Sequence, residues 1–519
     1  MRRKPLTCAV LLVLPLVLSL RVRAQSSSDS IDAHKLLVQA LDAANLADDS
    51  EAKTQVLRTL LIAQVFAGDG QDARHRADNV PRDQNGTYRE VVCDVATALA
   101  RRGDEQAAIA TLAAEGPDAG SWCYESVASV QGQLGNVAAV KELASKIEDS
   151  GSHVSALACA GEEAAVAGKK DASDELFALA LTYARSSQAG YERLVNLAFI
   201  AGSMYRSGKS SDILGLLPEM RADLQAISDP AERGSAEHFF LIAEERAGDL
   251  VGVKEFINAM QDEASRSSAA YDLVIELFEQ GEAAKARSEM ELVQDPGQKD
   301  SALEWLGSEL AKQGDIEGAR QIAGIVSRGR EGMVQIPPNE PYDSIISQIA
   351  LQQGKQGNLQ EAIQTVSSLM DDKDRARTLI LLGAAAPASG QDALIAEIFS
   401  EARNAALKIP EPFFLATALS HLAGVLSRRG QFALAQAAAD AIPMTAEDYM
   451  VGDLQKHRGH ALENIAYWRC KTGSCKDALQ WSSSEPYPIL KAYATAGIIE
   501  ALLGMDPPSD HYIEENYGA

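Results

Sequence analysis

A turn written Gly314-Asp315 ends one apolar helical run, Leu310-Ala311-Lys312-Gln313, and opens the next, whose small residue Ala319 follows five positions after the glycine. The same grammar recurs along almost the whole chain. Gly68, Gly103, Gly135, Gly168, Gly208, Gly248, Gly281, Gly314, Gly357, Gly390, Gly430 and Gly473 each follow one helical pattern and precede another, 32 to 43 residues apart. Glycine at the C′ position takes the left-handed conformation that stops a helix without a Cβ penalty. Asp69, Asp104, Asn136, Asp249, Asp315 and Asn358 follow their glycines and can cap the next helix by accepting its first free amides. Repetition at this period defines an array of helix pairs, each burying its apolar face only against its neighbours.

Five residues past the glycine stands a small or apolar side chain that lets the second helix of a pair approach the first: Ala73, Ala108, Ala286, Ala319, Ala362, Ala435 and Ala478, or Val140, Val253, Ile213 and Ile395, with Ser173 the exception. This Gly-x4-Ala spacing, with Pro81, Pro117, Pro296 and Pro338 near the ends of second helices, resembles a degenerate tetratricopeptide repeat over residues 50–484. The resemblance implies an all-α, right-handed solenoid of about twelve antiparallel helix pairs. Most of that family's helix A tryptophan and Leu-Gly positions are absent, so its usual mode of peptide binding does not transfer copy by copy.

Residues 1–24 read as an export signal, with a basic start (Arg2, Arg3, Lys4), an apolar core from Leu6 to Leu20, and small residues Val22 and Ala24 before the cut. The apolar run is short for a membrane span. An exported protein, periplasmic or secreted, without a span after cleavage is expected. Residues 25–49 read as a Ser-rich disordered start and a capping helix carrying Leu36, Leu37, Ala40, Leu41 and Ala44. Residues 50–327 form an N-terminal array, 328–343 a Pro/Gly-rich linker or insertion, 344–504 a C-terminal array ending in a closing helix, and 505–519 an acidic tail.

Charge narrows the partners. The chain carries −25, with 48 basic against 73 acidic residues, and the leader's five charged residues are all basic, so the mature surface is more acidic still. Such a surface repels phosphate backbones and would steer basic segments toward it. Nucleic acid is therefore excluded as the expected partner, and a protein or peptide, with basic segments, takes its place.

Chemistry is sparse. No His-Glu-x-x-His, Gly-x-Ser-x-Gly, Gly-x4-Gly-Lys or dinucleotide fingerprint is present, and no catalytic residue, cofactor or metal is expected. His457, His460 and Glu463 are the nearest approach to a metal constellation, and read as polar residues on the exposed side of a helix. Asp371-Asp372 and Glu401 read as solvated faces or first turns. Cys470 and Cys475 flank the Gly473 turn, where a disulfide would clip the hairpin for about 2 kcal/mol in the loop-entropy model; a zinc or redox site is the competing reading. Cys93, Cys123 and Cys159 lie in three successive first helices and read as small buried residues, with a Cys93–Cys123 bridge the alternative.

Two function classes follow. One is a non-catalytic scaffold holding a protein or peptide on a concave surface of first helices, with Tyr124, Glu125, Tyr191, His238, Glu304 and Trp305 as candidate binding-face residues. The other is a helical-toroid hydrolase with loop-borne carboxylates. A structural spacer of an envelope assembly is a variant of the first. Closure of the first helices into a ring around paired acids would favour the hydrolase, and an open groove the scaffold.

Overall fold

The computed structural model describes residues 31–46, 51–78, 80, 87–115, 120–260, 262–328, 340–387, 390–444 and 451–508. The expected leader, most of the acidic tail and most of the 328–343 insertion lie outside these. Among the described residues there is no β-strand. The helices run α1 (Ala33–Asn45), α2 (Glu51–Ala67), α3 (Gly70–Ala77), α4 (Thr87–Arg101), α5 (Glu105–Glu115), α6 (Ser121–Leu134), α7 (Val137–Ala144), α8 (Ser150–Val166) and α9 (Lys170–Ala184). They continue with α10 (Tyr191–Arg206), α11 (Ser210–Ile213), α12 (Leu217–Ala226), α13 (Pro230–Arg246), α14 (Leu250–Ala259), α15 (Glu263–Glu279), α16 (Ala283–Glu289), α17 (Pro296–Lys312) and α18 (Ile316–Arg328). The last third holds α19 (Glu340–Lys355), α20 (Leu359–Val366), α21 (Asp372–Ala385), α22 (Asp392–Ala406), α23 (Pro412–Arg428), α24 (Phe432–Asp440), α25 (Val451–Lys471), α26 (Cys475–Ser483) and α27 (Pro488–Leu503).

Every turn glycine named above has positive φ, between +72° and +125°. At Gly314 (φ +90°) the amide of Asp315 reaches back to the carbonyl of Leu310 at 2.9 Å, and the glycine's own amide to Ala311 at 3.0 Å, which satisfies the last free carbonyls of α17. The Asp315 carboxylate then accepts the amide of Gly318 at 2.9 Å and starts α18. Asp104, Asn136 and Asp249 cap in the same way. Asp69 and Asn358 make no such bond; the Asp69 carboxylate instead meets His34 Nδ1 of α1 at 2.8 Å.

The small residue five positions on is buried in each copy, including Ser173, whose hydroxyl has no hydrogen-bond partner among the described residues. An unsatisfied buried hydroxyl costs about 1 kcal/mol or more. Ser173→Ala should therefore stabilise the chain by about 1 kcal/mol, read as a shift of the urea midpoint at unchanged slope.

First helices pack side by side in one layer, in the order α2, α4, α6, α8, α10, α13, α15, α17, α19, α21, α23, α25, α27; successive second helices barely touch one another, as α3 and α5 or α7 and α9, which in a closed array puts them on the wider, outer side. The layer runs on past the 328–343 insertion, because α19 packs on both α17 and α18. It does not end at α27. This last helix packs on α25 behind it and on α1 and α2 at the opposite end of the chain. The expected all-α solenoid is present, and its N-terminal helix does more than cap it: α1 packs on α27 as the second helix of a further pair, and the array closes into a ring. Tyr493 seals the join, its buried hydroxyl donating to the carbonyl of Ala52 at 2.9 Å across 441 residues of sequence. Tyr493→Phe should cost about 1 kcal/mol in equilibrium unfolding, and an unchanged midpoint would remove this bond from the account of closure.

Candidate functional site

Closure makes the exposed sides of the first helices the inner wall of a ring. Polar side chains one repeat apart tie neighbouring wall helices together. Arg58 of α2 reaches Glu90 and Asp94 of α4 at 2.7 and 2.6 Å. Arg206 of α10 grips Glu162 of α8 through two bonds of 2.6 and 2.8 Å, and Arg246 of α13 holds Glu276 of α15 through two of 3.2 Å. Part of the acidic composition is thus taken up in inter-repeat pairs.

Between α17, α19 and α21 the wall opens into a cavity of about 240 Å³. Glu304 of α17, Ser347 and Gln348 of α19, and Asp371, Lys373, Asp374, Arg377 and Thr378 at the start of α21 line it, with Leu351 and Leu381. Asp371 accepts the amide of Lys373 at 2.6 Å as the cap of α21, while Thr378 donates to Ser347 at 2.8 Å and fixes α21 on α19. Burial raises the Asp374 carboxyl to about 6, helped by the charges of Asp371 and Asp343 and opposed by Arg377 and Lys373. Lys373 Nζ lies 4.8 Å from the centre of the Phe414 ring, which supports its charge from the side of α23. The cavity therefore gathers three carboxylates against two cations, with hydroxyls and an apolar strip between them.

Of the expected binding-face residues, Glu304 alone lines this cavity. Tyr124 is a correction: it is buried, with its neighbours Val127 and Ala128 in the core of α6, and presents no face to a partner. Glu125 accepts the hydroxyl of Ser155 at 2.9 Å, and burial raises its carboxyl. Tyr191 is half-buried against the core at the start of α10. His238 meets Asp272 of the next wall helix at 2.7 Å, and that bond raises its imidazole. Trp305 is exposed, one position around the helix from Glu304. Local sequence does not single out Asp374 or Arg377, and it presents Asp371 only as a solvated first turn. Asp371, Asp374 and Thr378 at spacings of three and four share one helical face, but nothing local says that this face meets Glu304.

A second correction concerns His457, His460 and Glu463, which are not on an exposed side. His457 and Glu463 are buried and His460 nearly so. His460 Nδ1 and Glu463 Oε2 are 2.9 Å apart, and the His460 ring stands edge-on to Tyr493 at the closing seam. His457 stands edge-on to Phe413. Burial lowers His460 and His421 to about 3 and raises Glu463 to about 8; it also raises Glu500 of α27, with the charge of Glu463 adding to the effect. The seam is a set of neutral polar groups. Among the described residues no three His, Cys, Asp or Glu side chains are placed to hold a metal ion.

Cys470 and Cys475 are disulfide-bonded across the Gly473 turn, with Cα atoms 3.9 Å apart; Cys159, expected as one of three small buried cysteines, is buried but also disulfide-bonded, which leaves Cys93 and Cys123 as the free pair among the described residues. No helix among the described residues is long and apolar enough to cross a membrane.

The chain is a helical-repeat protein whose array closes on itself. No family model matches it, and no curated protein does. Among solved structures it is similar to Ton1535 from Thermococcus onnurineus NA1, at 13% identity over 78% of this chain and 97% of that one, TM-score 0.27. It is also similar to Naa15/Naa10 bound to HypK-THB, at 16% identity over 93% and 81%, TM-score 0.26. A circular tandem repeat protein with novel repeat topology matches at 12% identity over 93% and 99%, TM-score 0.12. The ring rests on the packing of α27 against α1 and α2.

Proposed function

We propose that this protein is an exported, non-catalytic ring scaffold that holds a protein or peptide segment against its inner wall, with a basic side chain of that segment seated between Glu304, Asp371 and Asp374. The observation that carries this is the cavity: it is the right size for one long side chain, its apolar strip suits a methylene stem, and its carboxylates outnumber its cations. A bound ammonium or guanidinium would offset the cost of ionising Asp374. The net charge of −25 favours the same partner at longer range.

The test places a photo-crosslinking residue at Gln348, on the cavity, and at Leu434, exposed on the outer helix α24, and exposes residues 25–519 to the host's envelope extract. A partner captured from position 348 but not 434, and lost in the Glu304→Gln, Asp374→Asn double variant, is the expected result. Equal capture from both positions would overturn the proposal. N-terminal sequencing of the exported chain should begin at Gln25.

Ring closure around paired acids, unlike the cavity's size and charge, favours the second reading, a hydrolase, since a carboxyl near 6 beside a second carboxylate can exchange a proton near neutral pH. The captured partner decides between them. Recovery intact supports the scaffold, and cleavage that stops in Asp374→Asn supports the hydrolase.

A further inference from the structure

Cys93 and Cys123 are both buried and both unbridged, on the adjacent wall helices α4 and α6, and the Cys123 thiol donates across the helix contact to the carbonyl of Arg89, one turn before Cys93, at 3.9 Å. Two thiols set one turn apart across neighbouring helices, in a chain that carries a bridged pair elsewhere, need only the loss of two hydrogens to be joined. We propose that Cys93 and Cys123 form a disulfide in the oxidised protein, a covalent staple between two successive inner helices of the ring. Chemically, the S–H bonds of both residues break and one S–S bond forms, while two electrons and two protons pass to the disulfide of an oxidant such as oxidised glutathione, which leaves as two thiols. The exchange runs through a mixed disulfide on one cysteine that the second then resolves.

Burial dictates when this happens. Attack requires a thiolate that an oxidant can reach; in the folded wall both sulfurs are shut away from solvent, and burial pushes the Cys123 thiol far up, so exchange is slow there. The bond therefore forms while α4 and α6 are still coming together, and once formed it is shielded from reductant. A staple at this position acts differently from the Cys470–Cys475 clip. That clip ties one hairpin, whereas Cys93 and Cys123 lie a full repeat apart and would hold two pairs in register, closing a much longer loop of the unfolded chain.

Unfolded, reduced chain is refolded in a buffer of oxidised and reduced glutathione, quenched with iodoacetamide in denaturant, and digested without reductant. A peptide linking Cys93 to Cys123 is expected, with a melting temperature several degrees above that of the reduced ring. Cys470→Ser should keep that shift and Cys93→Ala should abolish it. Recovery of both Cys93 and Cys123 as alkylated thiols in a chain whose Cys470–Cys475 bond has formed would overturn the proposal, whatever partner the ring holds. Linkage of either residue only to a third cysteine would do the same.

Discussion

Gly497→Val will open the ring at its seam while leaving most of its helices intact. Gly497 lies in the middle of α27, where α27 crosses α25 backbone to backbone. A Cβ there would stand 2.1 Å from the carbonyl oxygen of Glu463, 2.9 Å from its carbon and 3.1 Å from the amide nitrogen of Tyr467. These are main-chain atoms of an inner helix and have no rotamer to escape into. Facing it, Gly459 of α25 makes the notch that receives the ring of Tyr493, 2.3 Å from where its own Cβ would be. Moving α27 outward therefore withdraws Tyr493 as well, and with it the bond to Ala52. Overpacking of this kind costs roughly 3 kcal/mol or more. In a repeat array the damage is local, because each pair contacts only its neighbours. Small-angle scattering should show an enlarged radius of gyration at nearly unchanged helicity by circular dichroism, with Gly497→Ala intermediate. A Gly497→Ala ring that melts with the parent would show that the helices do not cross this closely.

Glu463→Gln will stabilise the protein at pH 8 and leave it almost unchanged at pH 4.5. The carboxyl of Glu463 titrates at about 8 in the fold against 4.5 when unfolded. Its protonated form is favoured by folding, so the contribution is full below 4.5 and is lost as pH rises toward 8. Removing the ionisable group removes that loss, worth at least about 1 kcal/mol at pH 8, since a tenfold change in a protonation equilibrium corresponds to about 1.4 kcal/mol. The histidines act in the opposite sense. His421 and His460 titrate at about 3 against 6.5, so what they contribute is full above 6.5 and is lost as pH falls. The parent should be most stable between about pH 4.5 and 6.5, where the two trends offset each other. Calorimetric melting of parent and variant from about pH 4 to about pH 8.5 checks both statements; parallel curves across that range would sink the assignment of a neutral, buried Glu463.

The two variants probe the same seam, and the seam is what local pattern could not reveal. Leu36, Leu37, Ala40, Leu41 and Ala44 announce that α1 has one apolar face, but that stripe fits a cap on an open end as well as a partner for α27. Gly459 and Gly497 look like helix-weakening residues when read alone, since nothing in sequence tells a notch for Tyr493 from a lapse in propensity. His457, His460 and Glu463 look solvated for the same reason. Their polarity is legible, while their burial is set by α23 and α27, which meet them only in the ring.

The candidate site divides in the same way. Glu304 is legible as a polar residue on a wall helix. That it shares a cavity with Asp371 and Asp374, two repeat units further on, depends on how α17, α19 and α21 are set side by side.

Sequence alone determined the helix pairs, their boundaries and the turn between them, because a left-handed glycine, a capping aspartate and a small residue five positions later act over a few ångströms on their own neighbours. Tertiary structure decided that the last helix meets the first, that the seam polar groups are buried and neutral, and that three carboxylates converge on one cavity. Closure is the sum of small rotations between successive pairs, to which every repeat contributes and which no single repeat encodes.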